Sequence, residues 1–93
     1  MAKVEIYTKG WCPYCVRAKR LLEECKADVI EYAIDMSSDK RREMIDRAGG
    51  RTTVPQIFIG GKHIGGCDDL VELQTSGNLA AMLTAPQQGS VQT

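Results

Sequence analysis

Lys9-Gly10-Trp11-Cys12-Pro13-Tyr14-Cys15 joins a segment of strand periodicity to one of helix periodicity. On its N-terminal side, Lys3-Val4-Glu5-Ile6-Tyr7-Thr8 puts Val4 and Ile6 on one face, which predicts a strand. Gly10 interrupts that pattern. On its C-terminal side, Pro13 suits a first helical turn, where its missing N–H costs nothing and its φ is already helical. Cys15, Ala18, Leu22 and Cys25 then recur at spacings of three and four, with Leu21 beside them. Arg17, Lys19, Arg20, Glu23, Glu24 and Lys26 cover the remaining surface. The spacing predicts a helix from Pro13 to about Cys25 with one buried stripe.

This placement points to a reaction as well as a shape. A sulfur at a helix start lies among backbone N–H groups that have no intrahelical acceptor, and the helix dipole favours an anion there. The thiolate is the nucleophile of disulfide chemistry, so Cys12 is the candidate nucleophile. Cys15, one turn further in and toward the core, is the candidate resolving thiol, which attacks a mixed disulfide formed on Cys12. A Cys-x-x-Cys pair is also half of many metal sites. The strand before it and the helix after it favour redox use here.

Further along, Val29-Ile30-Glu31-Tyr32-Ala33-Ile34 reads as a second strand, and strand–helix–strand order predicts a right-handed parallel crossover. Ser38 or Asp39 is expected to cap a helix from Lys40 to Ala48, which Gly49-Gly50 end. Gln56-Ile57-Phe58-Ile59 and Lys62-His63-Ile64 flank Gly60-Gly61, a hairpin signal. Gly65-Gly66 makes another tight turn, Asp68 is expected to cap a helix through Gln74, and Leu79 to Leu83 adds a helical turn or two. The order β-α-β-α-β-β-α predicts an α/β, thioredoxin-like fold, a four-stranded mixed sheet flanked by helices. It occupies residues 1–84, and the polar tail 85–93 has nothing to bury and is expected to be disordered.

Composition narrows the function classes. Twelve Lys and Arg balance twelve Asp and Glu, so the net charge of zero argues against nucleic acid as a partner. No run approaches the roughly 18 apolar residues of a membrane span. The N-terminus lacks the apolar region of an export signal, so the cytoplasm is the expected compartment. Of the four cysteines, Cys25 and Cys67 stand alone, unlike the paired couples of a structural zinc site; no metal is expected. Cys25 on the helix stripe reads as a small core residue and His63 as exposed. Lys40-Arg41-Arg42, Arg47 and Arg51 form a basic cluster, read as a solvated face or as an attractor for a small anion. Of these, only Arg51 is singled out by its position.

Thr8-Lys9, Cys12-Pro13-Tyr14-Cys15, Thr53-Val54-Pro55-Gln56-Ile57-Phe58-Ile59 and Gly65-Gly66-Cys67-Asp68-Asp69-Leu70 together resemble a dithiol glutaredoxin of the small bacterial kind. The resemblance covers residues 1–84; Gly10-Trp11 is an unfamiliar choice before the first cysteine. It implies a glutathione-dependent thiol–disulfide oxidoreductase that works as a monomer on glutathionylated or disulfide-bonded proteins. It also implies a cis Val54–Pro55 bond, since Val-Pro alone is only a turn signal. The implied glutathione groove uses Lys9 and Arg51 for the glycine-end carboxylate and the Val54 backbone for the cysteine moiety. Gly66 gives close approach, and the N–H groups of Cys67 and Asp68 hold the γ-glutamyl carboxylate. Asp68 would pair with the ammonium group, and Tyr14, Thr53 and Pro55 would line the groove. Taken locally, Asp68 is also a natural helix cap, Lys9 an exposed charge, and Thr53 a residue bonded within its own turn. The alternative function is a dimer holding an iron–sulfur cluster between two Cys12 thiolates and two glutathiones, which the stiff Pro13 turn disfavours.

Overall fold

Strand β1 (Lys3–Thr8) runs through the interior of the sheet, whose order is β2-β1-β3-β4. A computed structural model describes residues 2–84; the expectation for the tail 85–93 lies outside the described residues. After β1 come α1 (Pro13–Glu24), β2 (Asp28–Ala33), a 3₁₀ turn (Ile34–Met36) and α2 (Ser38–Arg47). Then follow β3 (Gln56–Ile59), β4 (Lys62–Gly65), α3 (Cys67–Thr75) and α4 (Asn78–Thr84). β2 pairs parallel with β1 from Lys3 opposite Asp28 to Thr8 opposite Ala33. β3 pairs antiparallel with β1, and β4 with β3 across the Gly60-Gly61 turn. The mixed four-stranded sheet matches the sequence expectation.

The two faces of β1 explain the two cores. Val4 and Ile6 meet Ala18 and Leu22 of α1, Ile57 and Ile59 of β3, Leu70 of α3, and Leu79 and Leu83 of α4. On the opposite face Tyr7 packs with Ile34, Met44, Ala48 and Phe58 beneath α2. Of the other half of the β1 alternation, Glu5 and Tyr7 are therefore buried too, and Lys3 alone is exposed. Glu5 is only 7% exposed, and a network compensates its charge. Arg47 forks onto Glu5 at 3.0 and 3.1 Å, and its Nη1 also donates to Tyr7 Oη at 2.8 Å. Tyr32 donates to Glu5 at 2.9 Å, Tyr7 donates to Glu43, and the guanidinium lies 4.1 Å from the Phe58 ring centre.

Arg47 is the main reason that the Glu5 carboxyl titrates below its usual range. Burial, with help from Glu43, pushes Tyr7 up to about 12. A carboxyl with a depressed folded pKa contributes stability above its unfolded value, about 4.3, and loses it as pH falls through the folded value. Arg47→Met is expected to cost about 2 kcal/mol at pH 7, less than the roughly 3–5 kcal/mol of a fully buried pair. Arg47 keeps 29% of its side chain exposed, which accounts for the discount. Urea unfolding at pH 7 and pH 3 checks this: the gap between wild type and variant narrows in acid. An equal gap at both values contradicts the role given to Glu5.

Several boundaries differ from the sequence reading for local reasons. β2 ends at Ala33, and Ile34 turns instead into the 3₁₀ segment as a buried anchor. Ser37 rather than Ser38 or Asp39 caps α2, its Oγ accepting the Lys40 N–H at 3.2 Å. α3 starts at Cys67 with Gly66 as the cap residue, so Asp68 is not the cap. Asp69 serves instead, accepting the Gly66 N–H at 2.9 Å.

Candidate active site

Cys12 is the N-cap of α1, in extended backbone, and Pro13 opens the helix behind it. The Cys15 N–H donates to Cys12 Sγ at 3.3 Å. One orphan donor of the helix start thus points at sulfur. On the other side the Cys12 thiol reaches the Val54 carbonyl at 3.8 Å. The Val54–Pro55 peptide is cis, as the family resemblance implied. Neither Cys12 nor Cys15 is bonded to another cysteine. Cys15 lies deeper, at 2% exposure against 7% for Cys12. Burial, reinforced by the adjacent Cys12 sulfur, pushes the Cys15 thiol up to about 12. The two thiols are thus different in kind: one faces the loop and a helix-start N–H, the other is a neutral group held back in the core.

A groove of about 290 Å³ opens beside them. Tyr14 of α1 forms one wall and the loop residues Arg51, Thr53, Val54 and Pro55 another. Gly66, Cys67 and Asp68 at the start of α3 close it. The first-turn N–H groups of α3 have no intrahelical acceptor and point the positive end of the helix dipole into this end. Asp68 is exposed, and because Asp69 carries the cap bond, its carboxylate is not committed to the helix start. Burial raises the Cys67 thiol, which keeps it protonated and apolar in the core beside α1.

Lys9 is placed apart from Arg51. It lines a second basin of about 400 Å³ with Cys12, Ile34, Arg41, Thr52, Thr53 and Val54. Val54 and Thr53 are shared walls, so the two depressions adjoin along the same loop. The two cations expected at one carboxylate therefore serve different depressions. Arg41 is the basin's second cation and was not singled out from the sequence. The basic cluster divides by neighbours that only the fold supplies. Arg47 pairs with Glu5, Lys40 sits 4.1 Å from the Tyr32 ring centre, and Arg41 turns to the basin.

Two further residues position the loop. Gln56 Nε2 donates to the Thr53 carbonyl at 3.0 Å and to its Oγ1 at 3.2 Å. With the amide fixed in that sense, Gln56 Oε1 accepts from His63 Nε2 at 2.7 Å. His63 is half-buried and stacks on Phe58 with centroids 4.9 Å apart, so it is not the exposed residue its edge strand suggested. Burial lowers its pKa, which favours the neutral ring. Gly65 has φ +120, and a Cβ there would lie 2.2 Å from the Asp69 carboxylate. The stricter glycine requirement is thus at Gly65, whereas a Cβ on Gly66 would meet the Pro55 carbonyl at 3.4 Å.

Known proteins resemble this chain in sequence and in fold. The glutaredoxin family signature matches residues 4–64. Glutaredoxin 3 of Escherichia coli K12 is 58% identical over 83 residues, spanning 89% of this chain and 99% of its own. A glutaredoxin of Pseudomonas aeruginosa is 52% identical over 85 residues, spanning 91% of this chain and all of its own (100%). Among solved structures, a buckwheat glutaredoxin–glutathione complex superposes with a TM-score of 0.80 at 37% identity, covering 89% of this chain and 77% of that one. The family signature includes the helix-start cysteine pair and runs through β3 into β4. The chain belongs to the glutaredoxin family.

Proposed function

We propose that Cys12 is the nucleophile of glutathione-dependent thiol–disulfide exchange and that the groove beside it holds the glutathionyl group. The helix-start N–H aimed at Cys12 Sγ, 3.3 Å away and next to an open groove, carries this reading. Cys12 thiolate attacks the glutathionyl sulfur of a protein–glutathione mixed disulfide. A Cys12–glutathione disulfide forms, the old S–S bond breaks, and the protein thiolate leaves and takes a proton from solvent. A second glutathione thiolate then attacks the bound glutathionyl sulfur, giving oxidised glutathione and free Cys12. With a protein disulfide, Cys12 thiolate bonds to one protein sulfur as the protein S–S bond breaks and the other sulfur leaves as a thiolate. Cys15, losing its proton to solvent, then attacks Cys12 Sγ, releases the bonded protein thiolate and closes the Cys12–Cys15 disulfide. Both thiols and the groove come from one copy, so a monomer suffices. Glutaredoxin potentials lie at about −200 to −230 mV, within reach of the cytosolic glutathione pool, so the cytoplasm suits the cycle.

The charges fit a tripeptide with a carboxylate at each end. The start of α3 takes the γ-glutamyl carboxylate, and Asp68 takes the adjacent ammonium. Arg51 adds positive charge on the loop wall, and the Lys9–Arg41 basin receives the glycine-end carboxylate. Asp68→Asn tests this without disturbing the helix cap, which Asp69 supplies. KM for a glutathionylated peptide is expected to rise about tenfold, the equivalent of about 1.4 kcal/mol, with kcat nearly unchanged. An unaltered KM removes Asp68 from the site.

A further inference from the structure

A groove on another side of Cys12 has no part in that scheme. Trp11, Pro13 and Val16 line it together with Cys12, Arg17 and Arg20, and it encloses about 360 Å³. It shares no lining residue with the groove between Tyr14 and α3. Trp11 is fully exposed at 101%, and Val16 is 52% exposed. Trp11 also has φ +56, in the left-handed region that disfavours a bulky side chain and that asparagine tolerates far better. An indole held in solvent on such backbone adds nothing to the core. Residues 13, 16, 17 and 20 recur at helical spacing, so Pro13, Val16, Arg17 and Arg20 continue the apolar strip from Trp11 into two exposed cations.

We propose that this groove docks the polypeptide flank of a protein-disulfide substrate. An apolar residue next to the substrate cysteine packs on Trp11 and Val16, and an acidic residue beyond it pairs with Arg17 and Arg20. The assignment rests on the thiol-exchange reading above and adds the flanking sequence by which one protein disulfide is preferred to another. Cys12 borders the groove, so a segment lying there brings its own sulfur to the reacting atom. Cys12 thiolate bonds to one substrate sulfur as the substrate S–S bond breaks, and the released sulfur takes a proton from solvent. Cys15, its proton passing to solvent, then attacks Cys12 Sγ and releases the second substrate thiolate. The substrate disulfide gains two electrons, the enzyme dithiol loses them, and two glutathiones restore it as oxidised glutathione forms.

Two disulfide-closed peptides differing only beside one cysteine provide the test, one carrying Leu-Glu-Glu and the other Gly-Lys-Lys. Wild type is expected to reduce the first with about tenfold higher kcat/KM, a hot-spot-sized preference. Trp11→Asn, and separately Arg17→Glu with Arg20→Glu, bring the ratio to within about twofold while turnover of a small glutathionylated disulfide is unchanged. The melting temperature of Trp11→Asn does not fall. Trp11 is the single tryptophan, so a Ser-for-Cys analogue of the acidic peptide blue-shifts its emission, and the lysine analogue does not. Equal reduction of the two peptides by wild type, or a preference that survives both variants, overturns the docking assignment alone. Dimerisation that is lost in Trp11→Asn gives the groove to a second copy and also overturns it. Failure of wild type on the small glutathionylated disulfide overturns the thiol-exchange reading together with it.

Discussion

Cys12→Ser is expected to lower turnover of a glutathionylated substrate by on the order of 10³-fold or more, to the background of the uncatalysed exchange. A hydroxyl at the same atom position keeps the hydrogen bond from the Cys15 N–H but has neither the acidity nor the polarizability of a thiol. The groove is unaffected, because its walls are Tyr14, the 51–55 loop and the start of α3. The variant should therefore still bind glutathione while failing to turn over, a loss in kcat rather than KM. Neither Cys67 nor Cys25 rescues it. Cys67 is buried with its thiol held protonated, and Cys25 lies half-buried on the α1 stripe against the core. Steady-state kinetics with a glutathionylated peptide, supported by far-UV circular dichroism to show the fold, measure the effect. Residual activity above about a tenth of wild type would displace Cys12 from its role.

Cys15→Ser is expected to divide the two routes. Reduction of a glutathionylated substrate persists within a few-fold, because that cycle passes between Cys12 and glutathione alone. Reduction of a protein disulfide without glutathione falls by on the order of 10²-fold or more, because nothing resolves the mixed disulfide on Cys12. The Cys15 thiol is pushed up chiefly by burial, so part of its shift persists when Cys12 becomes a neutral disulfide. A group with a raised pKa is overwhelmingly protonated at neutral pH, and its thiolate fraction grows about tenfold per pH unit below that pKa. The closing step in wild type is therefore expected to keep quickening up to about pH 9, whereas the glutathione-only cycle of Cys15→Ser, driven by a free thiol of pKa about 8.5, levels off near that value. Stopped-flow measurement at pH 6 to 9 separates them. Equal loss of both routes in a folded variant contradicts the division of labour.

The sequence made the catalytic turn legible because its signals are local. A strand period, Gly10, a cysteine, Pro13 and a helix period occur in succession and each constrains the next. The Gly60-Gly61 hairpin is legible for the same reason. The second face of β1 is different, since Glu5 and Tyr7 look solvent-facing by alternation. Only α2, some 40 residues away, brings the Arg47 that makes their burial tolerable. Caps shifted by one residue because several candidates stand together. Ser37 and Ser38 differ only in which of them the 3₁₀ turn leaves in extended backbone, and Asp68 and Asp69 only in which reaches back to Gly66. Within the site, the residues of the Val54-Pro55 loop and the Gly66-Cys67-Asp68 turn do line one groove. Arg41 and the His63–Gln56 contact escaped because their partners are distant in sequence or lie across a strand pair, whereas the Gln56–Thr53 bonds are local to the turn, as Thr53 suggested.

The most direct test of the central claim uses Cys15→Ser treated with oxidised glutathione, then digested and mapped by mass spectrometry without reduction. One glutathionyl group, on Cys12 and on no other cysteine, is the predicted result. Modification at Cys25 or Cys67 with Cys12 left free would contradict it.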